Sequence, residues 1–275
     1  MKKTFSEELM EIIQEYQVNL RDELESRFGV WPIDVNNQRV HEVIGALLAR
    51  QVTLADQLAN SPSIWNNHAA PLFHRAIADV YISLAWISKS PEERSQKFIE
   101  YGLGQVLLQT EHRKAQMKKD GIDSENDPII EANLHWVDTF KFRDLVEVNV
   151  GAWSGLNTRE MAEQAECIDF YNYVYTPFSG CVHSTWHQVS RLNTIIDPNP
   201  LHNYLMLPYV RDLAPDIDDF LLAAKYVKKS FRLFTDTFLS NVDLPCSYDR
   251  VYQEISDLGL KWEEQAESMS EATEE

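Results

Sequence analysis

Apolar positions recur every three to four residues along almost the whole chain, and that period predicts helices. In TFSEELMEIIQEYQVNLRDELESRFG, Leu9, Ile13, Tyr16, Leu20 and Leu24 mark one face. Thr4 with Glu7 forms a capping box, and Gly29 is a stop. A second helix is predicted over 37–58, with Val40, Val43, Ile44, Leu47, Leu48 and Leu58 apolar, broken by SPSIW at 61–65. The third opens near Pro71 and carries LFHRAIADVYISLAWIS, apolar nearly all round, which places it at the centre of a bundle. Ser90-Pro91-Glu92-Glu93 starts a fourth helix, running to about Lys119, and Asp127-Pro128 a fifth, to about Val148. Asn157 with Glu160 caps a short sixth helix through about Glu166. A seventh spans 168–192 and is disturbed at Pro177, where the ring removes a backbone donor. The segment 197–208 reads as a loop, the eighth helix as 215–240, and the ninth as beginning near Ser247. No stretch alternates with period 2 for long enough to predict a strand. The expectation is an all-α, multi-helix bundle of about nine helices with no significant sheet. Its organisation reads as an N-terminal helical pair (1–60) packing on a core (61–195), with C-terminal helices (196–262) completing the bundle.

Composition agrees with a packed bundle and narrows what it could bind. Of 275 residues, 44% are hydrophobic and 11% aromatic, enough for a substantial core. The formal net charge is −18. The last segment, WEEQAESMSEATEE, holds six Glu and no Lys or Arg, and without it the body is still at −12. Residues 263–275 therefore read as an acidic, disordered tail. An acidic body does not bind nucleic acid by bulk phosphate attraction and is repelled by anionic membranes. Cys167, Cys181 and Cys246 are scattered, with no CxxC pair, which suits reduced thiols. MKKTFSEELMEII starts basic, but Glu7, Glu8 and Glu11 interrupt the apolar core a signal peptide needs. No apolar run approaches the ~18 residues of a membrane span. The reading is a cytoplasmic protein without a membrane partner.

Two places concentrate candidate chemistry. Arg75 and Asp79 stand four apart on the most apolar helix, where a charge needs a partner. They read either as an internal salt bridge or as an arginine held by Asp79 and presented to an anion. In YVYTPFSGCVHSTWHQVSRLN, Tyr175, Ser179, His183 and His187 follow at spacings of four and would share one helical face. Such a stripe could be a core network of histidine with serine and tyrosine hydroxyls. It could instead carry an acid/base or phosphate-contacting histidine, since imidazole titrates near neutral pH. Two further readings are a serine nucleophile at Ser179 and a zinc pair, His183 with His187, though no GxSxG or HExxH surrounds them. Trp153 and Arg159 flank a Ser-Gly turn at the start of the sixth helix, a candidate anion site. The basic run HRKAQMKK (112–119) complements a helix C-terminus.

Taken together, LFHRAIADVYISLAWISKSPEERSQKFIEYG (72–102) and W153-S154-G155-x-x-x-R159-x-M161-A162, with Tyr171, Tyr175 and S179-x-x-x-H183-S184, resemble a bacterial family catalogued as domain of unknown function 5677. Its members pair an R-x-x-x-E helix with a later Tyr-rich helix ending S-x-x-x-H; the match covers roughly 60–195. Asp79 stands where glutamate is common, and the shorter acid reaches less far. The architecture is similar to the HEPN superfamily, whose active members are ribonucleases in toxin and phage-defence systems. Their motif needs an arginine four to six residues ahead of a histidine, and here those positions hold Thr176, Pro177 and Phe178. The resemblance implies an effector or accessory protein of a defence or toxin-type system acting on RNA or a nucleotide. His183 would then be the acid/base and Arg75 would stabilise phosphate charge; Asp79 and Ser179 complete the catalytic set. Tyr175, Trp153 and Arg159 would bind substrate. The competing expectation is a non-catalytic binding or interaction module in which the same residues form a structural network. A metal-dependent enzyme using His183 and His187 is the third. No cofactor or resident metal is expected; an RNA or nucleotide ligand, a protein partner or a second copy of the chain are the expected partners.

Overall fold

The structure, a computed structural model, describes residues 3–144, 153–239, 242 and 244–274. It is all-α apart from one small hairpin. The helices are α1 (Phe5–Gly29), α2 (Gln38–Ala59), α3 (Ala70–Ser88), α4 (Pro91–Lys119), α5 (Pro128–Asp144), α6 (Thr158–Gln164), α7 (Ile168–Phe170), α8 (Thr176–Val182), α9 (Trp186–Leu192), α10 (Ile217–Phe238) and α11 (Ser247–Glu274). The part of the predicted fifth helix beyond Asp144, and Gly151 and Ala152 of the following loop, lie outside the described residues.

The chain divides into two compact units, Met1–Pro32 with Leu47–Tyr81 and Asp169–Glu275, and Ile33–Ala46 with Ile82–Ile168. The division falls inside α2 and α3, so it crosses the segments 1–60, 61–195 and 196–262 instead of following them.

In the first unit α1 begins at the predicted capping box: Thr4 Oγ1 accepts from the Glu7 N–H, and Glu7 Oε2 from the Thr4 N–H at 2.8 Å. Its buried stripe is Ile13, Tyr16 and Leu20, continued by Glu23 and Arg27. That pair is buried yet bonded: Arg27 Nη2 lies 2.9 Å from Glu23 Oε1. Glu23 Oε2 also accepts the Ser247 N–H at 2.7 Å, and Arg27 Nη1 donates to the Pro245 carbonyl at 3.0 Å. The start of α11 is thereby fixed to α1. Phe220 of α10 packs between Tyr16 (centroids 5.1 Å) and Trp65 (5.4 Å), and Trp31 meets Phe234 at 5.1 Å. The α3 helix is as central as its sequence predicts, with His74, Ile77, Ala78, Ile82 and Ile87 all fully buried.

In the second unit α4 and α5 pair through Leu103 and Val137, with Ile99, Val106, Leu107 and Phe140 around them. Arg113 grips Asp127 with two bonds, 2.7 and 2.6 Å, and Asp127 also accepts the Ile129 and Ile130 N–H groups that open α5.

Three stretches differ from the sequence reading. The predicted seventh helix is not one rod. It begins as α7, widens to a π-helical turn at Tyr171–Tyr175, continues as α8, and stops at His183. The Thr176 N–H bonds to the Tyr171 carbonyl, five residues back, just ahead of Pro177. The stop is a Schellman cap: Thr185 N–H bonds to Gly180 O and Ser184 N–H to Cys181 O, with Ser184 left-handed at φ 47°. Residues 194–208 form a hairpin in place of a loop, β1 (Thr194–Ile196) antiparallel to β2 (Met206–Pro208), with Ile195 opposite Leu207. Asn203 and Tyr204 both have positive φ, the turn geometry that suits twisted strands. Finally, α11 continues to Glu274, through the segment expected to be disordered. Its Glu, Ala, Gln and Met are good helix formers, and no Gly or Pro interrupts them.

Candidate functional site

Arg75 is carried by α3 into the first unit with only 8% of its surface exposed. Three groups surround it. Its guanidinium carbon lies 3.5 Å from the centre of the Tyr175 ring, a cation–π contact. Its Nη1 donates to Ser179 Oγ at 3.3 Å. Its Nε stands 3.3 Å from Asp79 Oδ2, an ion-pair contact in which the N–H is not aligned for a hydrogen bond. Burial pushes the Asp79 carboxyl above its usual range, and Arg75 pulls it back down in part. The π-helical turn decides which side chains reach Arg75, because it sets the rotation of Tyr175 and Ser179 about the rod. Tyr171 stacks behind Tyr175 at 4.8 Å.

The structure therefore brings Arg75, Asp79, Tyr175 and Ser179 together. His183 does not join them. It is the C-cap of α8 and is exposed, because the Schellman cap ends the helix there. His187 lies on α9, and its Nδ1 is 2.9 Å from Thr185 Oγ1. The imidazole folds back against Gly180, where a Cβ would stand 2.5 Å from His187 Nε2. The expected shared face of Ser179, His183 and His187 is thus split between two helices, which removes the geometric premise of a zinc pair. Among the described residues there is no group of three or more His, Cys, Asp or Glu that could hold a metal ion.

Trp153 and Arg159 belong to the second unit. Trp153 packs edge-on against Trp86 (5.2 Å) and Phe98 (5.0 Å), and Arg159 pairs with Glu163 at 3.0 Å. The start of α6, read as an anion site, is occupied by its own capping box of Asn157 and Glu160.

Two features escaped the sequence reading. His74, beside Arg75, is fully buried and sends Nε2 to Asp219 Oδ1 of α10 at 3.2 Å, tying the two helices together. Its ring lies against Phe178 and Tyr226. The second feature is a cleft of about 640 Å³ in the first unit, along α10. Its walls carry Tyr81, Phe170, Tyr226 and Tyr248. Lys225, Lys228, Lys229 and Arg232 also line it, with one acid, Asp236. Lys228 pairs with Asp249 at 2.5 Å and Arg232 with Asp236 at 3.6 Å. Among the described residues Lys225 and Lys229 have no ion pair; Lys229 Nζ instead lies 5.4 and 5.6 Å from the Tyr81 and Phe170 ring centres. The signal was present in KYVKKSFR (225–232), four cations in eight residues of an acidic chain, at spacings that share a helical face.

A family model described as "Family of unknown function (DUF5677)" matches residues 41–199, more than half of the chain. No curated protein and no solved structure matches it. No helix among the described residues is long and apolar enough to cross a membrane.

Proposed function

The chain belongs to the DUF5677 family, whose function is unknown, and we propose that it is a non-catalytic binding module for an anionic ligand seated in the lysine-lined cleft along α10. The observation that carries this reading is the cleft itself: four cations gathered on one wall of an otherwise acidic chain, two of them without an acidic partner among the described residues. Clustered like charges cost free energy unless a counter-charge arrives, so their retention on one face points to an anion.

In this reading the Arg75 cluster is a brace. It joins α3 to the rod of 168–182, and those two elements supply Tyr81, Phe170 and Val174 to the cleft wall. The catalytic alternative, an RNA- or nucleotide-directed effector with His183 as acid/base and Arg75 on the phosphate, needs both groups at one substrate. An exposed His183 and an Arg75 already engaged by Tyr175, Ser179 and Asp79 favour the structural role instead.

Titration of inorganic pyrophosphate into the full chain tests the reading. Saturable binding is expected, weakened at least about tenfold by Lys225→Glu together with Lys229→Glu, and unchanged by His183→Ala. Binding indifferent to the lysine pair, or abolished by His183→Ala, overturns it.

A further inference from the structure

We propose that the occupant of the α10 cleft is a nucleoside di- or triphosphate, its base against the aromatic wall and its phosphates on Lys225 and Lys229; this rests on the binding-module reading. The argument is that the cleft is chemically two-sided. Phe170 stands at its apolar side, tilted on Tyr81 at 4.3 Å between centroids and edge-on to Tyr226 at 5.4 Å. Val174, Leu222 and Leu233 extend that surface. A bare phosphate would leave it against water, and an uncharged aromatic would leave the lysines unused. A flat ring system carrying phosphates uses both, since every base offers a face for stacking on aromatic rings.

The charge arrangement narrows the number of phosphates. Lys228 and Arg232 are each committed to an acid, Asp249 and Asp236. Lys225 and Lys229 are exposed and one helical turn apart, roughly 6 Å along the axis. Two free cations at that spacing match two linked phosphates better than one. Lys229 also lies over both Tyr81 and Phe170, so it stands where a base and its phosphate chain would meet.

Size and net charge then separate a nucleotide from a nucleic acid. The cleft volume of about 640 Å³ falls within the range of small-molecule sites, roughly 300–1,000 Å³. A strand of RNA or DNA would extend past the cleft over a molecule of net charge −18, and polyanion affinity depends on neutralising many phosphates at once. The single basic wall favours the compact ligand.

Calorimetric titration of the full chain with ADP, GDP and UDP, against inorganic pyrophosphate, adenosine and a uridine oligonucleotide, tests the assignment. At least one nucleoside diphosphate is expected to bind about tenfold or more tighter than pyrophosphate or adenosine. Lys225→Glu with Lys229→Glu should abolish the phosphate contribution at an unchanged thermal midpoint, since both side chains are exposed. Phe170→Leu should lower nucleoside diphosphate affinity and leave pyrophosphate binding as it was; if that variant fails to fold, Tyr248→Leu makes the same comparison. Pyrophosphate binding as tightly as every nucleotide overturns the nucleotide assignment and leaves an anion module standing. An oligonucleotide binding tighter than any nucleoside diphosphate also overturns it, in favour of nucleic acid. Binding of none of these anions overturns both readings.

Discussion

Arg75 is the residue at which packing and chemistry are hardest to separate. A guanidinium on the most apolar helix would be costly alone, and Tyr175, Ser179 and Asp79 each take up one of its faces or edges. Arg75→Ala should therefore cost about 1–3 kcal/mol, because it leaves Ser179 and a partly buried carboxylate without their partner. His183→Ala should stay within about 0.5 kcal/mol, since the ring is exposed. Urea denaturation of the two variants reads both values, and equal losses would refute the brace. Asp79→Asn should cost less than Arg75→Ala at pH 7. Burial raises the Asp79 carboxyl, so its contribution is complete below about pH 3.8 and declines as pH rises through its folded value. The sequence made Arg75, Asp79, Tyr175 and Ser179 legible because each pair obeys the four-residue spacing that survives in the structure. It misplaced His183 because that spacing assumes an unbroken helix.

What breaks the helix belongs to the element. The Schellman cap after α8 places Ser184 at the left-handed position, where glycine is the usual marker, and without glycine the stop cannot be read. Glu166, with φ 59°, does the same after α6. Ser184→Gly should raise stability by about 0.5–1 kcal/mol by removing the left-handed strain, visible as a thermal midpoint higher by a few degrees. A lower midpoint would show that the Ser184 side chain supports the cap. The hairpin was hidden for a like reason: its turn residues are Asn203 and Tyr204, not Asn-Gly. In the second unit the link between α4 and the start of α5 is open to an acid test. The bidentate bond from Arg113, helped by the Ile129 and Ile130 N–H groups, lowers the Asp127 carboxyl to about 2. Its stabilising contribution is thus complete above the ordinary 3.8 and is lost as pH falls towards about 2. Stability profiles of Asp127→Asn should be flatter than those of the parent across that window.

At the scale of the molecule, 43 acidic residues face 25 basic ones. Surface ion pairs such as Lys261 with Glu8 and Arg250 with Glu15 tie α11 to α1, but exposed pairs contribute little individually. Net repulsion is the larger effect. Raising ionic strength from about 0.01 to about 0.15 M, which shortens the screening length from about 30 to 8 Å, should therefore raise the thermal midpoint. A fall would mean that the ion pairs outweigh the repulsion. The all-α architecture was legible from end to end because period 3.6 is written into every long segment. The cleft was not, because it depends on which faces of α3, α10, α11 and the 168–182 rod meet, and one sequence does not state that. The π-helical turn at Tyr171–Tyr175 carries a last consequence, for chain length. It holds one residue more than an α-helical turn, so deleting a single residue there would let the rod run as plain α-helix. Everything downstream would then be turned by roughly 100°, swinging Ser179 away from Arg75 while the composition stayed almost unchanged. In this stretch an indel should be far more damaging than any conservative exchange of side chains.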